Sequence, residues 1–329
     1  LGPLKFIPIL KRLRWGGRRL GSVLNKPLGP FADYAESWEI CDHGADQSVV
    51  ENGRFRGRCL HELVCTNPSE LLGRHRGLPQ FPLLLKFLDA HDRLSLQVHP
   101  NDEQARRFVP DERGKTEAWV ILQADPGSCV FAGLRSNVDE RELRAALHNG
   151  TVENHLHRLE VTAGDCLFIP AGTVHAIGEG ILLAEVQQSS DVTFRLSDWN
   201  RLGTDGKPRA LHIEQSLACI DFGRGPVNPV VPASVRNAEP NASEAGCCVE
   251  ELVNCPHFII RRHSLSQPAT LPADERCRIL MGLTGRVECQ GTDECQTLDV
   301  GDTVLVPASA LPVHLHPAVP SVLLEVFWD

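Results

Sequence analysis

Apolar residues in this chain come in short runs, and Gly, Pro or Asp ends each run before it reaches helical length. The clearest are 129–134, 166–170, 181–187, 303–307 and 322–327. Val, Ile, Leu and Phe dominate them, and the pattern predicts the strands of a β-sandwich or barrel. Helical periodicity is sparse. Asn137 is placed to cap a helix over 140–148, with Leu143, Ala146 and Leu147 turned inward and Gly150 as terminator. Asn101 is placed to cap a short helix ending near Phe108. Ile213, Leu217 and Ile220 share one face of a third.

The pattern also divides the chain. Residues 224–246 are rich in Pro, Asn, Ala and Ser and have no period, which reads as a linker between a unit over 1–223 and one over 247–329. A repeat relates the two units. Gly164-Asp165, four residues and Pro170-Ala171 in the first match Gly301-Asp302, four residues and Pro307-Ala308 in the second. Five residues past the Pro the copies part: the first has His175, the second Pro312. The second unit is therefore expected to be a β domain without metal. His314 and His316 are spaced like a ligand pair but lack an accompanying carboxylate, and are read as non-ligands.

Three segments carry candidate chemistry. In the first, Leu94, Leu96 and Val98 alternate with Ser95, Gln97 and His99, which puts Gln97 and His99 on one strand face, close enough to share an ion. In the second, Lys115, Glu117 and Trp119 share a strand face. The third runs from Gly164 to His175, with Gly172 suited to a tight turn. Taken singly, each has a plain alternative: a solvated edge strand, a solvated carboxylate, a surface histidine. Trp15, Trp38 and Trp119 are read as packing residues.

Composition narrows the classes. A formal net charge of −9 argues against a general nucleic-acid partner. No apolar run approaches the roughly 20 residues that span a bilayer. Leu1–Leu20 is basic but has no apolar core with a cleavage site. The 12 cysteines are scattered, with no CxxC pair, as expected of small hydrophobes in a reducing cytoplasm. Of 33 basic residues the only lysines are Lys5, Lys11, Lys26, Lys86, Lys115 and Lys207, so a lysine kept at 86 or 115 points to a task an arginine fork cannot do.

Together the three segments resemble the cupin motifs: two ligands one residue apart, a carboxylate on the next strand, and a His in G-x5-P-x-G-x2-H. The run from Phe81 through Lys86 to Gln97-Val98-His99-Pro100-Asn101-Asp102 is similar to the type I mannose-6-phosphate isomerase family. So are Trp15-Gly16-Gly17, Glu36-Ser37-Trp38-Glu39-Ile40, Gly114-Lys115-Thr116-Glu117, Ile169 to Ala176, Leu183 to Arg195 and Leu211 to Glu214. The spacing from Glu117 to His175 resembles the short branch of that family, and Gly114 stands where longer members usually carry His. The resemblance implies a mainly β fold of two cupin-like jelly-roll barrels. It implies interconversion of mannose 6-phosphate and fructose 6-phosphate through a cis-enediol, with Zn2+ held by Gln97, His99, Glu117 and His175. Arg195, Lys115 and Glu185 then correspond to catalytic positions, and Lys86 and Ser95 to the substrate phosphate site. Lys115, beside a metal, is expected to move protons and Arg195 to stabilise charge. A cupin that binds phosphosugar without turnover, or an isomerase of another phosphosugar, remains an alternative at this point.

Overall fold

The computed structural model describes every residue except 203–205, 236–246, 292–293 and 311. It is mainly β, and its sheets are antiparallel. The first unit is a jelly roll of two facing sheets. One has six strands, in the order Cys166–Ile169, Glu117–Ala124, Ile181–Gln188, Leu83–Ala90, Tyr34–Ile40 and Ile9–Gly17. The other has five: Leu156–Glu160, Cys129–Leu134, His175–Ile177, Leu96–Val98 and Phe194–Ser197. Trp15, Leu88, Trp119, Ile121, Val130 and Ile177 fill the space between them.

The five clearest expected strands form with boundaries shifted by at most one residue, whereas the two ligand-bearing strands begin later than expected, at Leu96 and Glu117, which leaves Ser95 and Lys115 just ahead of them. Two of the expected helices also form as read: Asn101 caps Asp102–Phe108 through a reciprocal box with Gln104, and Ile213–Cys219 is the third helix. The Glu140–Asn149 helix needs a correction. Its cap is Asp139, boxed with Glu142, while Asn137 sits at φ 67° in the turn before it; Gly150 ends it in the left-handed region. Two further short helices, Leu60–Thr66 and Pro68–Leu72, lack a periodic apolar signature long enough to be read from sequence.

The second unit pairs an eight-stranded with a four-stranded sheet. Its large sheet recruits Leu4–Ile7 from the start of the chain, where Leu4 pairs with Leu305. The two large sheets pack back to back. Leu85, Phe87, Val120 and Ala184 from the first meet Ile260, Ile279, Leu305 and Leu324 from the second in one core. This is why Leu83–Ala90 is buried along its whole length and is apolar apart from Lys86 and Asp89 rather than alternating. Of the linker expected over 224–246, residues 236–246 lie outside the described residues. The earlier part is a strap: Val227 and Val230 donate to Ala132 O and Cys166 O, and Ala233–Ser234 joins the second unit's sheet.

The sequence repeat is a register repeat. Ile169 faces Glu117 in the first barrel as Val306 faces Arg278 in the second. Glu185 faces Trp119 and Lys86 on its two sides, and Glu325 faces Leu280 and Arg261. Arg278 thus stands in the place of Glu117, and Glu325 in that of Glu185.

Candidate active site

The expected metal-binding residues converge inside the first barrel from both of its sheets. Gln97 lies on the fourth strand of the five-stranded sheet, paired with His175 on one side and Arg195 on the other. His99 follows it just past the strand end, and Glu117 reaches in from the facing sheet. Gly172, at φ 86°, makes the turn that returns the chain to His175, and an added Cβ there would press on Cys219 O at 3.0 Å. One ligand atom from each of His99, Glu117 and His175 lies within 4.8 Å of the others.

Backbone carbonyls fix both imidazoles. His99 Nδ1 donates to Val192 O at 2.8 Å and His175 Nδ1 to Thr173 O at 2.9 Å. Each ring therefore turns a bare Nε2 toward Glu117, at 3.4 Å in both cases. Burial, helped by Lys115, pushes His99 down to about 3, and burial lowers His175 as well, so both imidazoles are neutral at physiological pH. Burial would raise the Glu117 pKa, but Lys115, His99 and His175 outweigh it and keep the carboxylate ionised. Its Oε2 is buried, accepts no aligned hydrogen bond and is approached by the Lys115 ammonium at 3.2 Å. A buried carboxylate with one imidazole nitrogen turned to each of its oxygens fits a cation. Gln97 Nε2 lies 3.2 Å from His175 Nε2, and a half-turn of the amide brings its oxygen to the same place.

A cavity of about 440 Å³ opens beside these residues. Lys115 sits at its floor, its Nζ 3.2 Å from both His99 Nε2 and Glu117 Oε2. Trp119 has a task beyond packing: its Nε1 bridges Glu117 Oε1 and Glu185 Oε2, at 3.1 Å each. Trp38 likewise donates to Glu36 and lies between Lys11 and Lys86, which approach its ring to 4.5 and 4.7 Å. Sequence gave no cue to either role beyond the motif that contains Glu36 and Trp38.

Burial, reinforced by Glu117, pushes the Glu185 carboxyl up to about 7; Lys115 and Lys86 oppose the shift. Lys86 is buried among carboxylates, 3.4 Å from Glu36, 3.7 Å from Glu185 and 3.9 Å from Asp191. Burial works against its charge, but these neighbours raise its pKa. Its charge is already over-compensated, which counts against the expectation that it holds a phosphate dianion. Arg195 has the opposite surroundings. It lines the cavity and, among the described residues, has no carboxylate within ion-pair distance; its Nε is buried without a partner. Burial, then Arg209, makes its charge costly, which favours an incoming anion. Ser95 lines the same wall, 3.4 Å from the Gln97 amide oxygen. At Gly114 an added Cβ would lie 2.5 Å from Asp102 N, so this backbone has no room for the histidine of longer relatives. His314 and His316 are exposed in the second barrel, away from this cluster.

Comparison with known proteins agrees with the geometry. Residues 4–133 match the family model for the phosphomannose isomerase type I catalytic domain. The chain is 34% identical over 305 residues to mannose-6-phosphate isomerase ManA of Bacillus subtilis, covering 93% of each chain. It is 36% identical over 293 residues to the mannose-6-phosphate isomerase of Streptococcus mutans, covering 89% of this chain and 88% of the relative. The crystal structure of the Bacillus subtilis mannose 6-phosphate isomerase superimposes with a TM-score of 0.89 at 27% identity, over 99% of both chains. The chain belongs to the type I mannose-6-phosphate isomerases, a family of enzymes.

Proposed function

We propose that the chain interconverts mannose 6-phosphate and fructose 6-phosphate through a cis-enediol, with Zn2+ held by Gln97, His99, Glu117 and His175. The carrying observation is the buried Glu117 carboxylate between two imidazoles whose tautomers are fixed by Val192 and Thr173 and whose Nε2 atoms both turn to it at 3.4 Å. When bound, the ion supplies a Lewis acid for the carbonyl and enediol oxygens of the sugar.

The chain's own residues do the rest. Arg195 takes the 6-phosphate in a guanidinium fork that no carboxylate already occupies. Ser95 lines the wall between Arg195 and the metal ligands. Lys115, an ammonium anchored on Glu117, donates to a sugar oxygen near the ion. Glu185 moves the proton between C1 and C2. A carboxyl poised near neutrality is a better base than an ammonium in an ion pair, and Trp119 Nε1 aims it at the cavity. Lys86 positions Glu185 and, with Glu36, fixes the charge around it. A bound cation cancels the Glu117 contribution, so the Glu185 pKa falls below its metal-free value in the loaded enzyme.

Units over 1–223 and 247–329 are part of the same proposal, with the second serving packing and holding no metal. Scattered cysteines, all unpaired, agree with a cytoplasmic location, and no helix among the described residues is long and apolar enough to cross a membrane. The direct test is a coupled assay of mannose 6-phosphate turnover with zinc-loaded protein. Binding without turnover would make the chain a phosphosugar-binding cupin instead.

A further inference from the structure

The second barrel has its own buried polar cluster. His263 lies inside it, with Nε2 bonded to Glu325 Oε2 at 2.9 Å. Arg278 holds the other oxygen of Glu325 through Nε at 2.7 Å, and its two terminal guanidinium nitrogens donate to Asp274. The second ring nitrogen of His263, Nδ1, is buried and has no hydrogen-bond partner. On the adjacent strand Val249 faces His263 and Cys247 faces Leu265. Cys247 and His263 are therefore diagonal neighbours on one sheet face. That face is the barrel interior, because Cys247 packs against the core that contains Leu265, Leu280 and Leu323. Cys247 is also partly exposed, whereas Cys166, Cys277 and Cys289 are buried. It opens on a cavity of about 490 Å³ lined by Cys248, Ser264, Thr284 and Ser321.

We propose that Cys247, assisted by His263 and Glu325, is a thiol modification site that takes low-molecular-weight disulfides into this cavity. The Cys247 sulfur attacks one sulfur of the disulfide; a protein–small-thiol S–S bond forms, the original S–S bond breaks, and the departing thiolate takes up a proton. Cys247 is oxidised and half of the disulfide is reduced to thiol, so no further oxidant is needed.

The charges around the ring support this. Burial alone would lower His263, but Cys247 and Glu325 outweigh it and hold the imidazole up to about 9. The cation is thus present at neutral pH, and an imidazolium beside a sulfur favours the nucleophilic thiolate. Glu325 comes from the strand on one side, with Arg278 beyond it. Arg261 lies on the same strand as His263 and is held by Glu251 at 3.5 Å. Cys248, one residue on, points to the opposite sheet face and is the more exposed of the two, which makes it an internal control: access alone would make it the faster thiol.

The experiment treats the full chain with oxidised glutathione and, separately, with iodoacetamide, then maps the products by fragmentation. At about pH 6.5 Cys247 should react roughly tenfold or more faster than Cys248 or Cys295. Cys247→Ser should abolish the fast phase and Cys248→Ser should keep it, both with isomerase activity intact. His263→Gln should bring Cys247 down to the Cys248 rate. If that variant does not fold, Glu325→Gln decides: it keeps the imidazole, removes the carboxylate that holds it, and should slow Cys247 toward the Cys248 rate. An unchanged Cys247 rate in a folded variant, or a fast phase mapped to Cys248, overturns the assignment.

Discussion

The two barrels share one strand register and differ in what they place at its centre. In the first, Glu117 lies between His99 and His175, with one imidazole Nε2 turned to each of its oxygens. In the second, Arg278 stands at the Glu117 position, and its guanidinium is taken up by Asp274 and Glu325. Glu185 and Glu325 are register equivalents with opposite fates. Glu185 is pushed up to about 7 beside Glu117; Glu325, despite burial, is held low by His263 and Arg278. The same fold leaves buried charges open to a ligand in one barrel, and in the other completes them with a permanent cation from the chain.

The largest expected effect breaks the first centre. His175→Ala or Glu117→Gln should remove bound zinc and with it measurable turnover, as read by metal analysis and assay on one preparation. Arg278→Met in the second barrel should leave zinc content unchanged while lowering thermal stability, because it strands Glu325 without its cation. Next comes the pair of equivalent carboxylates. Glu185→Gln should lower kcat by about 10²- to 10⁴-fold, the usual contribution of a general base, whereas Glu325→Gln should leave kcat within a few-fold of wild type. In the wild type kcat/KM should fall as pH drops below the Glu185 pKa, since only the ionised carboxylate accepts the proton. The midpoint should lie below the value of about 7 that holds without a cation, and Glu185→Gln should lose that limb. A midpoint that stays in the glutamine variant would assign the limb to another group.

Arg195→Lys sharpens the comparison of cations inside the first barrel. It should raise KM for mannose 6-phosphate by about tenfold or more, since a point charge replaces a planar fork, with zinc content unchanged. A loss confined to kcat would return Arg195 to transition-state charge stabilisation and leave the phosphate to Lys86. The smallest effect is on the shared core. Leu305→Ala should cost about 2–5 kcal/mol of unfolding free energy, measured by denaturant titration, without changing kcat at a temperature where the protein stays folded.

Much of this was legible in the chain. Strands could be read from short apolar runs because each is buried on at least one face. The convergence of Gln97, His99, Glu117 and His175 could be read because β-alternation and one glycine turn fix where those side chains point. What escaped depends on contacts between residues far apart in sequence. Lys86 was legible as a retained lysine, but its three carboxylate neighbours come from separate segments, so the offset of its charge was not. Trp119 could be placed on the ligand face, yet its bridge to Glu185 exists only through the pairing of two strands 66 residues apart. The Asp139 cap was missed because Asn137, an equally good capping residue, stands two positions earlier and is spent on a left-handed turn. The recruitment of Leu4–Ile7 into the distant sheet is a long-range pairing that no local pattern announces.

The most direct measurement is the zinc stoichiometry of the purified chain, by mass spectrometry, alongside turnover of mannose 6-phosphate before and after chelation. A single zinc per chain is expected, lost together with activity, restored together with it, and absent from His175→Ala. Full turnover in protein verified to be free of metal, or a second ion that survives in His175→Ala, would contradict the division of labour between the two barrels.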